Sequence, residues 1–416
     1  MSDLPPLVLR PLTEADLDSF LDFIDLVFVD GPASAEVRAM DGGLHDPGGG
    51  RGVGVFDGDE LAGAGTLAGL ELTVPGGTLP VAGVLFIGVS PVYRRRGVMT
   101  TIIRHQLHTL HQAGAEPLAA LSASESAIYG RFGYGTAIYT ARFTIPAERS
   151  ALRPVAGTDH VRVRLVPTAG SVEVCEAVVA RHVARRPGGL ARPDNWGRAY
   201  AADPEQWREG RSILRTVLAE RGGQAVGFAR YQTKNEGSPS GMHVGAADVS
   251  EIYGDDAAAF AALIRYLTGI DLIAATKLYR QPVDSPLVHL LQDFRASDMH
   301  VRDGLYLRLV DVDRALAGRT YSAPVSVVLE ITDAFCPWNA GRWQLTGDEK
   351  SARCVRTEAA ADLALDVREL AAAYLGGSTL TALAQAALVT ELRPGALTDA
   401  SRAFATDLAP HNPWSI

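Results

Sequence analysis

The sequence predicts a mixed α/β (α+β) protein with two consecutive folds of one kind, followed by an antiparallel sheet with helices. Three observations support this prediction: a strand that enters a helix through a basic turn, an ungapped repeat of that junction, and a change to alternating patterns after about residue 300. A chain of 416 residues is long enough for two or three domains. We expect the domains at 1–150, 151–300 and 301–416.

The first region is predicted to begin with a helix and continue into strands. Thr13-Glu14-Ala15-Asp16 is typical of a helix start, and apolar residues follow at helical spacing from Leu17 to Phe28. Apolar runs at 53–56, 62–72 and 81–89 predict a meander of strands. The stretch 98–112 is amphipathic and predicts the helix that follows the basic turn.

The basic turn is Arg94-Arg95-Arg96-Gly97. A strand that enters a helix through such a turn directs free backbone N–H groups and the positive end of the helix dipole at one point. Gly97 allows close approach of the backbone, and the arginines add positive charge. This arrangement predicts a site for a pyrophosphate. The alternative is a solvated arginine cluster beside an ordinary glycine turn.

A weak internal repeat aligns residues 89–107 with residues 249–267 without gaps. Where the first copy has three arginines, the second has Gly254-Asp255-Asp256. Carboxylates at a helix N-terminus accept hydrogen bonds from the free backbone N–H groups there and repel a pyrophosphate. We therefore expect two folds of one kind, of which only the first binds a cofactor that carries a pyrophosphate. The alternative is chance similarity between two strand-to-helix junctions.

The composition narrows the class of protein. A formal net charge of −9 argues against a nucleic-acid surface and is compatible with cationic substrates. The three cysteines lack metal spacing, and His105, His108 and His111 have no carboxylate nearby in sequence, so no metal is expected. Because the cysteines are also few and odd in number, a reducing cytoplasm is the expected compartment. The sequence shows neither a signal peptide nor an apolar run that could cross a membrane.

The last region alternates apolar and polar residues and then becomes helical. The alternation at 325–331 predicts a strand, and 343–345 and 361–367 predict two more. Helices are expected at 368–374 and at 380–392, the second before Pro394. An antiparallel sheet with helices on one side is the natural packing of these elements.

The basic turn resembles the cofactor motif of GNAT acetyltransferases, (Gln/Arg)-x-x-Gly-x-(Gly/Ala), with Arg94 and Gly97 at matching positions and Met99 in place of the final Gly or Ala. Tyr129-Gly-Arg-Phe-Gly-Tyr134 resembles the GNAT motif in which a tyrosine on a short helix faces the sulfur of acetyl-CoA. A phenol of pKa about 10 stays protonated at neutral pH and can protonate a departing thiolate. The resemblance makes Tyr129 the expected general acid; the alternative is an aromatic of the core or of a turn.

The order of motifs along nearly the whole chain is similar to that of the enhanced intracellular survival (Eis) acetyltransferases. These proteins have a GNAT domain, a degenerate GNAT-like domain and a C-terminal domain similar to sterol carrier proteins. The matching segments are Asp30-Gly-Pro32, Val89-x-Pro91, 94–97, Ser124-Glu125, 128–135, Arg186-Pro-Gly-Gly189, Asp303-Gly304-Leu305, Leu363-x-Leu365-Asp366 and Tyr374-Leu375-Gly376-Gly377.

The resemblance implies acetyl-CoA as co-substrate. The pantetheine would pair with the strand at Phe86, Ile87 and Val89, where the backbone N–H of Val89 would polarise the thioester oxygen. The other implied cofactor contacts are Arg94, Arg95, Arg96, Gly97, Val98, Met99, Thr100, Ser124 and Glu125.

The resemblance also implies that the carboxylate of the last residue, Ile416, is the general base, and that Asp30, Phe86 and Ser415 face the substrate. An α-carboxyl of pKa about 3.5 is a poor base in water, but burial raises its pKa and proximity supplies much of the remainder. Members usually end in an aromatic residue, whereas this chain ends in isoleucine. Trp414, in a proline-rich tail, is suited to docking against the body of the protein.

The expected function is therefore direct acetyl transfer from acetyl-CoA to an amino group of a small cationic molecule. The resemblance implies aminoglycoside-like polyamines as the substrate class and a homohexamer as the assembly. Two alternatives remain open: acetylation of a lysine in a protein or peptide, and lipid or acyl-CoA carriage by the C-terminal region.

Overall fold

The structure, a computed structural model, describes residues 7–29, 31–44, 51–193, 196–235 and 244–416. Its strands are β1 (Val8–Pro11), β2 (Val53–Asp57), β3 (Glu60–Val74), β4 (Gly77–Val89), β5 (Leu118–Leu121), β6 (Gly135–Pro146), β7 (Arg162–Val166), β8 (Arg215–Arg221), β9 (Gln224–Lys234), β10 (Ala246–Gly254), β11 (Ala275–Pro282), β12 (His300–Leu309), β13 (Val325–Thr332), β14 (Gly341–Gly347), β15 (Ala352–Arg356), β16 (Leu363–Asp366) and β17 (Val389–Glu391). Its helices are α1 (Leu17–Phe28), α2 (Ala35–Leu44), α3 (Val98–Ala113), α4 (Val172–Val183), α5 (Trp196–Ala201), α6 (Glu205–Arg208), α7 (Ala257–Thr268), α8 (Leu287–Leu290), α9 (Val312–Ala317), α10 (Val367–Ala373), α11 (Leu380–Gln385) and α12 (Ala396–Phe404).

The chain forms two compact units. The first contains Met1–Ala137, Leu305–Thr406 and Ile416, and the second contains Ile138–Gly304 and Asp407–Ser415. Most of β6 belongs to the second unit and the second half of β12 to the first, so each unit takes strand residues from the other repeat of the sequence. The expected boundaries at 150 and 300 follow chain order and do not include this exchange.

The sheet of the first unit has the order β1-β2-β3-β4-β5-β12. The helix α3 packs on it through Val98, Ile102 and other apolar residues at helical spacing. A Cβ on Gly63 of β3 would lie only 2.4 Å from a methyl group of Val98, so glycine at this position permits the close approach of helix and sheet. The predicted N-terminal helix is also confirmed, and it buries Phe20, Leu21 and Phe23.

The second unit repeats this arrangement with the order β7-β8-β9-β10-β11-β6. The repeat predicted from the sequence is confirmed, because 89–107 spans the end of β4 and most of α3, and 249–267 spans the end of β10 and most of α7. In both copies the strand before the helix pairs in parallel with the strand after it.

The first unit also contains a separate sheet with the order β15-β14-β13-β16-β17. The predicted sheet is confirmed, and its pairs are antiparallel except for β13 with β16, which is parallel. The helix predicted at 380–392 is confirmed for 380–385 and wrong beyond it. Helix α11 ends at Gln385, Ala387 has a left-handed φ of 58°, and Val389–Glu391 pairs with β16 instead. An apolar run of this length also suits a short strand that has a neighbour to pair with.

Candidate active site

A bulge in β4 marks the segment predicted to bind pantetheine. The register between β3 and β4 shifts at Phe86 and Ile87, which lie opposite the single residue Gly65. Phe86 has a left-handed φ of 52°. A bulge bends its strand and disrupts the ladder locally. In the described part of the chain, the parallel ladder between β4 and β5 covers 81–83, so the bulge lies just beyond the point where the two strands separate.

The basic turn presents an open helix N-terminus. Arg95 and Gly97 have left-handed φ values of 64° and 83°, and residues 94–97 are exposed. Gly97 is the N-cap of α3 without a side-chain cap, and the first turn has no acidic residue. Within the described chain, a Cβ on Gly97 would meet nothing within 4 Å. Uncapped amides at the positive end of a 16-residue helix, with open space in front of them, fit a pyrophosphate.

Tyr93 anchors this turn, and the sequence analysis missed it. The side chain is buried, and its hydroxyl lies 3.1 Å from a carboxylate oxygen of Asp57 and 3.1 Å from one of Glu60. The guanidinium of Arg96 lies over its ring, 5.0 Å from the centroid. The position of a tyrosine directly before three arginines could have indicated this role. The sequence does not show, however, that its hydroxyl reaches Asp57 and Glu60.

The corresponding helix of the second unit closes its own N-terminus. Asp256 is the N-cap of α7 and accepts a hydrogen bond of 2.9 Å from the backbone N–H of Ala259. A hydrogen bond from Arg221 is the main cause that lowers the pKa of Asp256 to about 2. Asp255 pairs with Arg181 at 2.8 Å. The prediction that internal carboxylates satisfy this helix end is confirmed for Asp256.

Tyr129 lies at the start of a short 3-10 helix, Tyr129–Phe132, in the first unit. Its side chain is 8% exposed, and its ring contacts that of Tyr134 edge to face at 5.9 Å between centroids. Burial, and next the charge of Glu125, raise the pKa of Tyr129 to about 12. In the part of the chain that the structure describes, the hydroxyl has no hydrogen-bond partner. It is therefore a protonated donor that is not committed to another group.

Glycines of the Tyr129 motif allow the C-terminal region to pack directly against it. A Cβ on Gly135 would lie 2.0 Å from the backbone oxygen of Arg368, at the start of α10. Gly133 has a φ of 80°, and its Cβ would lie 2.5 Å from the guanidinium of Arg308. Arg308 forms a fully buried ion pair of 2.5 Å with Asp333. The sequence analysis missed these supports, because they join residues far apart in the chain.

The C-terminal tail is docked, as predicted. Trp414 is 1% exposed; its indole N–H donates to the backbone oxygen of Leu190 at 2.8 Å, and its ring contacts Trp196 at 4.9 Å. Ser415 exchanges backbone hydrogen bonds of 3.2 Å with the hydroxyl of Tyr200. These contacts lie in the second unit, whereas Ile416 itself belongs to the first unit, which also contains Tyr129.

Three family models match the chain. Residues 8–137 and 188–309 each match an acetyltransferase (GNAT) domain, and residues 312–413 match a sterol carrier protein domain. The N-acetyltransferase Eis of Mycobacterium tuberculosis is 36% identical over 368 residues, which cover 85% of this chain and 86% of that protein. The chain belongs to the Eis family of GNAT N-acetyltransferases.

Two further proteins illustrate this relationship. An uncharacterized N-acetyltransferase of Streptomyces avermitilis is 48% identical over 364 residues, with 87% of this chain and 88% of that protein covered. The crystal structure of Eis1 from Mycobacterium abscessus is 33% identical with a TM-score of 0.83, and covers 98% of this chain and 100% of that chain. The chain is thus an acyltransferase of the N-acetyltransferase type, and its GNAT domains imply acetyl-CoA as co-substrate.

The remaining residues that the Eis resemblance implies lie in several places. Ser124 and Glu125 are exposed near Tyr129, and Val98 is buried while Thr100 is partly buried on α3. The sulfur of Met99 lies 3.5 Å from the guanidinium of Arg131, in the Tyr129 motif. Asp30 lies outside the described residues. Within the described ranges, no helix is both long and apolar enough to span a membrane.

Proposed function

We propose that this Eis-family protein acetylates amino groups of small cationic molecules, of the aminoglycoside-like polyamine class, by direct transfer from acetyl-CoA. The observation that carries the proposal is the presence, in one unit, of an uncapped helix N-terminus, a bulged strand and a buried tyrosine whose hydroxyl has no hydrogen-bond partner among the described residues. The net charge of −9 favours cationic acceptors. The family resemblance supports the substrate class.

The proposed reaction needs a base and an acid. An amine is protonated in water, so the carboxylate of Ile416 first accepts a proton and the free amine attacks the thioester carbon. As the C–S bond breaks, Tyr129 donates its hydroxyl proton to the sulfur of coenzyme A and regains a proton from the nitrogen of the collapsing intermediate. The products are the acetamide, free coenzyme A and one released proton. No acyl-enzyme forms in this scheme.

The raised pKa of Tyr129 keeps its proton in place until the leaving step. With its pKa at about 12, the hydroxyl stays protonated throughout the range in which the amine loses its proton. The thiol of coenzyme A is more acidic, with a pKa of about 8.5 for a free thiol, so the transfer to sulfur is favourable because the nitrogen returns a proton to Tyr129 in the same step and no phenolate is left. The group is therefore ready at every pH where the substrate reacts.

We assign cofactor binding to the first unit alone. Arg94→Ala removes a charge beside the pyrophosphate, and Gly97→Asp places a carboxylate there. Gly97 faces open space, but its left-handed φ of 83° strains any side chain, so the thermal midpoint of the Gly97→Asp variant is measured beside its affinity. Each is expected to weaken acetyl-CoA binding about 10-fold or more, the range for a hydrogen bond to a charged group.

The matched control for this titration is Asp255→Ala at the equivalent turn of the second unit, which should leave acetyl-CoA affinity unchanged. Calorimetric titration should also give one acetyl-CoA per chain. Equal losses from both turns would contradict the assignment.

We also propose a cytoplasmic homohexamer, on the strength of the family resemblance. Light scattering with size-exclusion chromatography measures the assembly directly, and a monomer at micromolar concentration would contradict it.

The substrate class is tested by incubating the protein with acetyl-CoA and a panel of acceptors, and measuring both free thiol and the mass of each acceptor. Aminoglycosides and other polyamines should release coenzyme A and gain an acetyl group. A lysine-containing peptide is the comparison that separates the two enzymatic alternatives. Turnover of the peptide but not of the polyamines would overturn the proposed substrate class.

A further inference from the structure

The second unit contains a cavity where its strands diverge. β10 and β11 pair in parallel from Ala246 opposite Ala275 to Val249 opposite Leu278. Directly beyond, residues 250–254 and 279–282 line a cavity of about 250 Å³. The register of β10 against β9 shifts between Val249 and Glu251, as the register of β4 against β3 does in the first unit. The cavity therefore occupies the position that corresponds to the cofactor cleft of the first unit.

This cavity is not suited to a pyrophosphate. Asp256 at the N-terminus of α7 is one of the lining residues and already caps that helix. Asp255 beside it adds a second carboxylate. The backbone N–H of Ala259, at the helix end where a phosphate would bind, is already taken by Asp256, so the cavity is suited to a ligand with different chemistry.

Most charges that line the cavity are compensated within the protein. Glu251 is buried and pairs with Arg192 at 2.5 Å and with Arg230 at 2.6 Å. Asp256 pairs with Arg221 at 2.7 Å, and Arg186 pairs with Asp284 at 2.5 Å. Arg185 donates to the backbone oxygen of Asp255 at 2.7 Å and lies 3.8 Å from its carboxylate.

Arg280 is the exception. In the described part of the chain the guanidinium of Arg280 has no ion-pair partner. Arg280 lines the cavity, and its backbone has a left-handed φ of 50°. Burial lowers its pKa below the ordinary value, and the nearby charge of Arg302 acts in the same direction. A partly buried cation without a counter-ion is unfavourable, and an anionic ligand would relieve this.

The two histidines of the cavity do not supply a competing charge. Burial is the main cause that lowers the pKa of His182 to about 4 and that of His411 to about 3, so both are neutral at pH 7. The Nε2 of His411 donates to the backbone oxygen of Arg280 at 2.7 Å. Its buried Nδ1 therefore has a lone pair, and in the described chain it has no partner.

The rest of the lining is largely apolar. It includes Ile252 and Phe260 from the second fold, and Leu408 and Pro413 from the docked C-terminal tail. An apolar ligand body would bury its surface against these side chains, which favours binding. Arg280, which has no ion-pair partner in the described chain, and the apolar wall together favour a ligand with one negative charge and an apolar body.

We propose that this cavity binds a small organic monocarboxylate, whose carboxylate pairs with Arg280 and whose apolar body contacts Ile252 and Phe260. The site is separate from the cofactor site of the first unit. It requires neither acetyl-CoA nor turnover.

The test is calorimetric titration of the full-length protein with phenylacetate, in saturating coenzyme A so that the first unit's cofactor site is filled. One phenylacetate should bind per chain. Phenylacetamide, the neutral analogue, should bind about 10-fold more weakly or worse, because it has no negative charge to pair with Arg280. Inorganic phosphate should also bind about 10-fold more weakly or worse, because it has no apolar body to bury.

Three variants locate the site. Arg280→Gln should weaken phenylacetate binding about 10-fold or more. Ala257→Phe narrows the cavity from an exposed position on α7 and should also weaken binding, even if Arg280→Gln fails to fold. Arg265→Gln, at an exposed arginine of the same helix, should leave affinity unchanged. Any of four results would overturn the proposal. These are no binding of phenylacetate, equal affinity for phenylacetate and phenylacetamide, undiminished phenylacetate binding by both Arg280→Gln and Ala257→Phe, and binding of two coenzyme A molecules per chain.

Discussion

A single glycine appended after Ile416 is expected to lower kcat by about 100-fold or more, the range for loss of a general base. The extension moves the terminal carboxylate by one residue and replaces it, at the original position, by a neutral amide. The docked contacts of Trp414 and Ser415 lie before this point and should persist. Steady-state kinetics with a polyamine acceptor, together with acetyl-CoA titration, separates loss of turnover from loss of binding.

The matched control is the same glycine added at the N-terminus, which should leave kcat unchanged. The alternative to a catalytic role is that the last residue lies at a frayed end of the chain, which tolerates extension. Full activity in the C-terminally extended protein, or in a protein with an uncleaved C-terminal tag, would exclude the carboxylate from the mechanism.

Tyr129→Phe is expected to lower kcat by about 100-fold or more while acetyl-CoA affinity stays nearly unchanged. The substitution keeps the buried ring and its contact with Tyr134 and removes only the hydroxyl. Measurement of kcat and of the acetyl-CoA dissociation constant for the variant tests this separation.

Tyr134→Phe is the matched control, since this tyrosine is more deeply buried in the same motif, at 1% exposure, and has no assigned catalytic role. Its kcat should remain near that of the parent. A Tyr129→Phe variant that turns over at the parent rate, or equal losses from both substitutions, would remove Tyr129 from the mechanism.

Local patterns predicted much of the candidate site. The basic turn and the docking of Trp414 are each set by neighbouring residues: a glycine with left-handed φ, and a tryptophan in a proline-rich tail. The short helix at Tyr129 was predicted from the resemblance to the GNAT motif. The capping of α7 by Asp256 was also predictable, because a carboxylate before a helix satisfies its first amides wherever the helix lies.

Features that depend on distant partners were not predictable. The bulge at Phe86 lies inside a continuous apolar run, and such a run does not reveal a register shift against β3. The close approaches of Arg308 to Gly133 and of Arg368 to Gly135 join the C-terminal region to the Tyr129 motif across more than one domain length of sequence.

The same limit explains the segment at 380–392 and the strand exchange. Val389–Glu391 is a strand because β16 has an edge to pair with, and this pairing outweighs the helical periodicity of the run. Likewise, most of β6 belongs to the unit of its neighbour β11 and the second half of β12 to the unit of its neighbour β5, a choice of partner that no local pattern encodes. The tertiary structure also decides which arginine has no ion-pair partner among the described residues, as is the case for Arg280.

The most direct measurement of the proposed mechanism is kcat of the double variant that combines Tyr129→Phe with the C-terminal glycine extension. If the hydroxyl and the terminal carboxylate act in one proton-transfer scheme, the combined variant should be about as slow as the slower single variant, because groups that act as a unit show strongly non-additive losses. Losses that multiply, with the double variant slower by the product of the two single effects, would show that the groups act independently and would contradict the account.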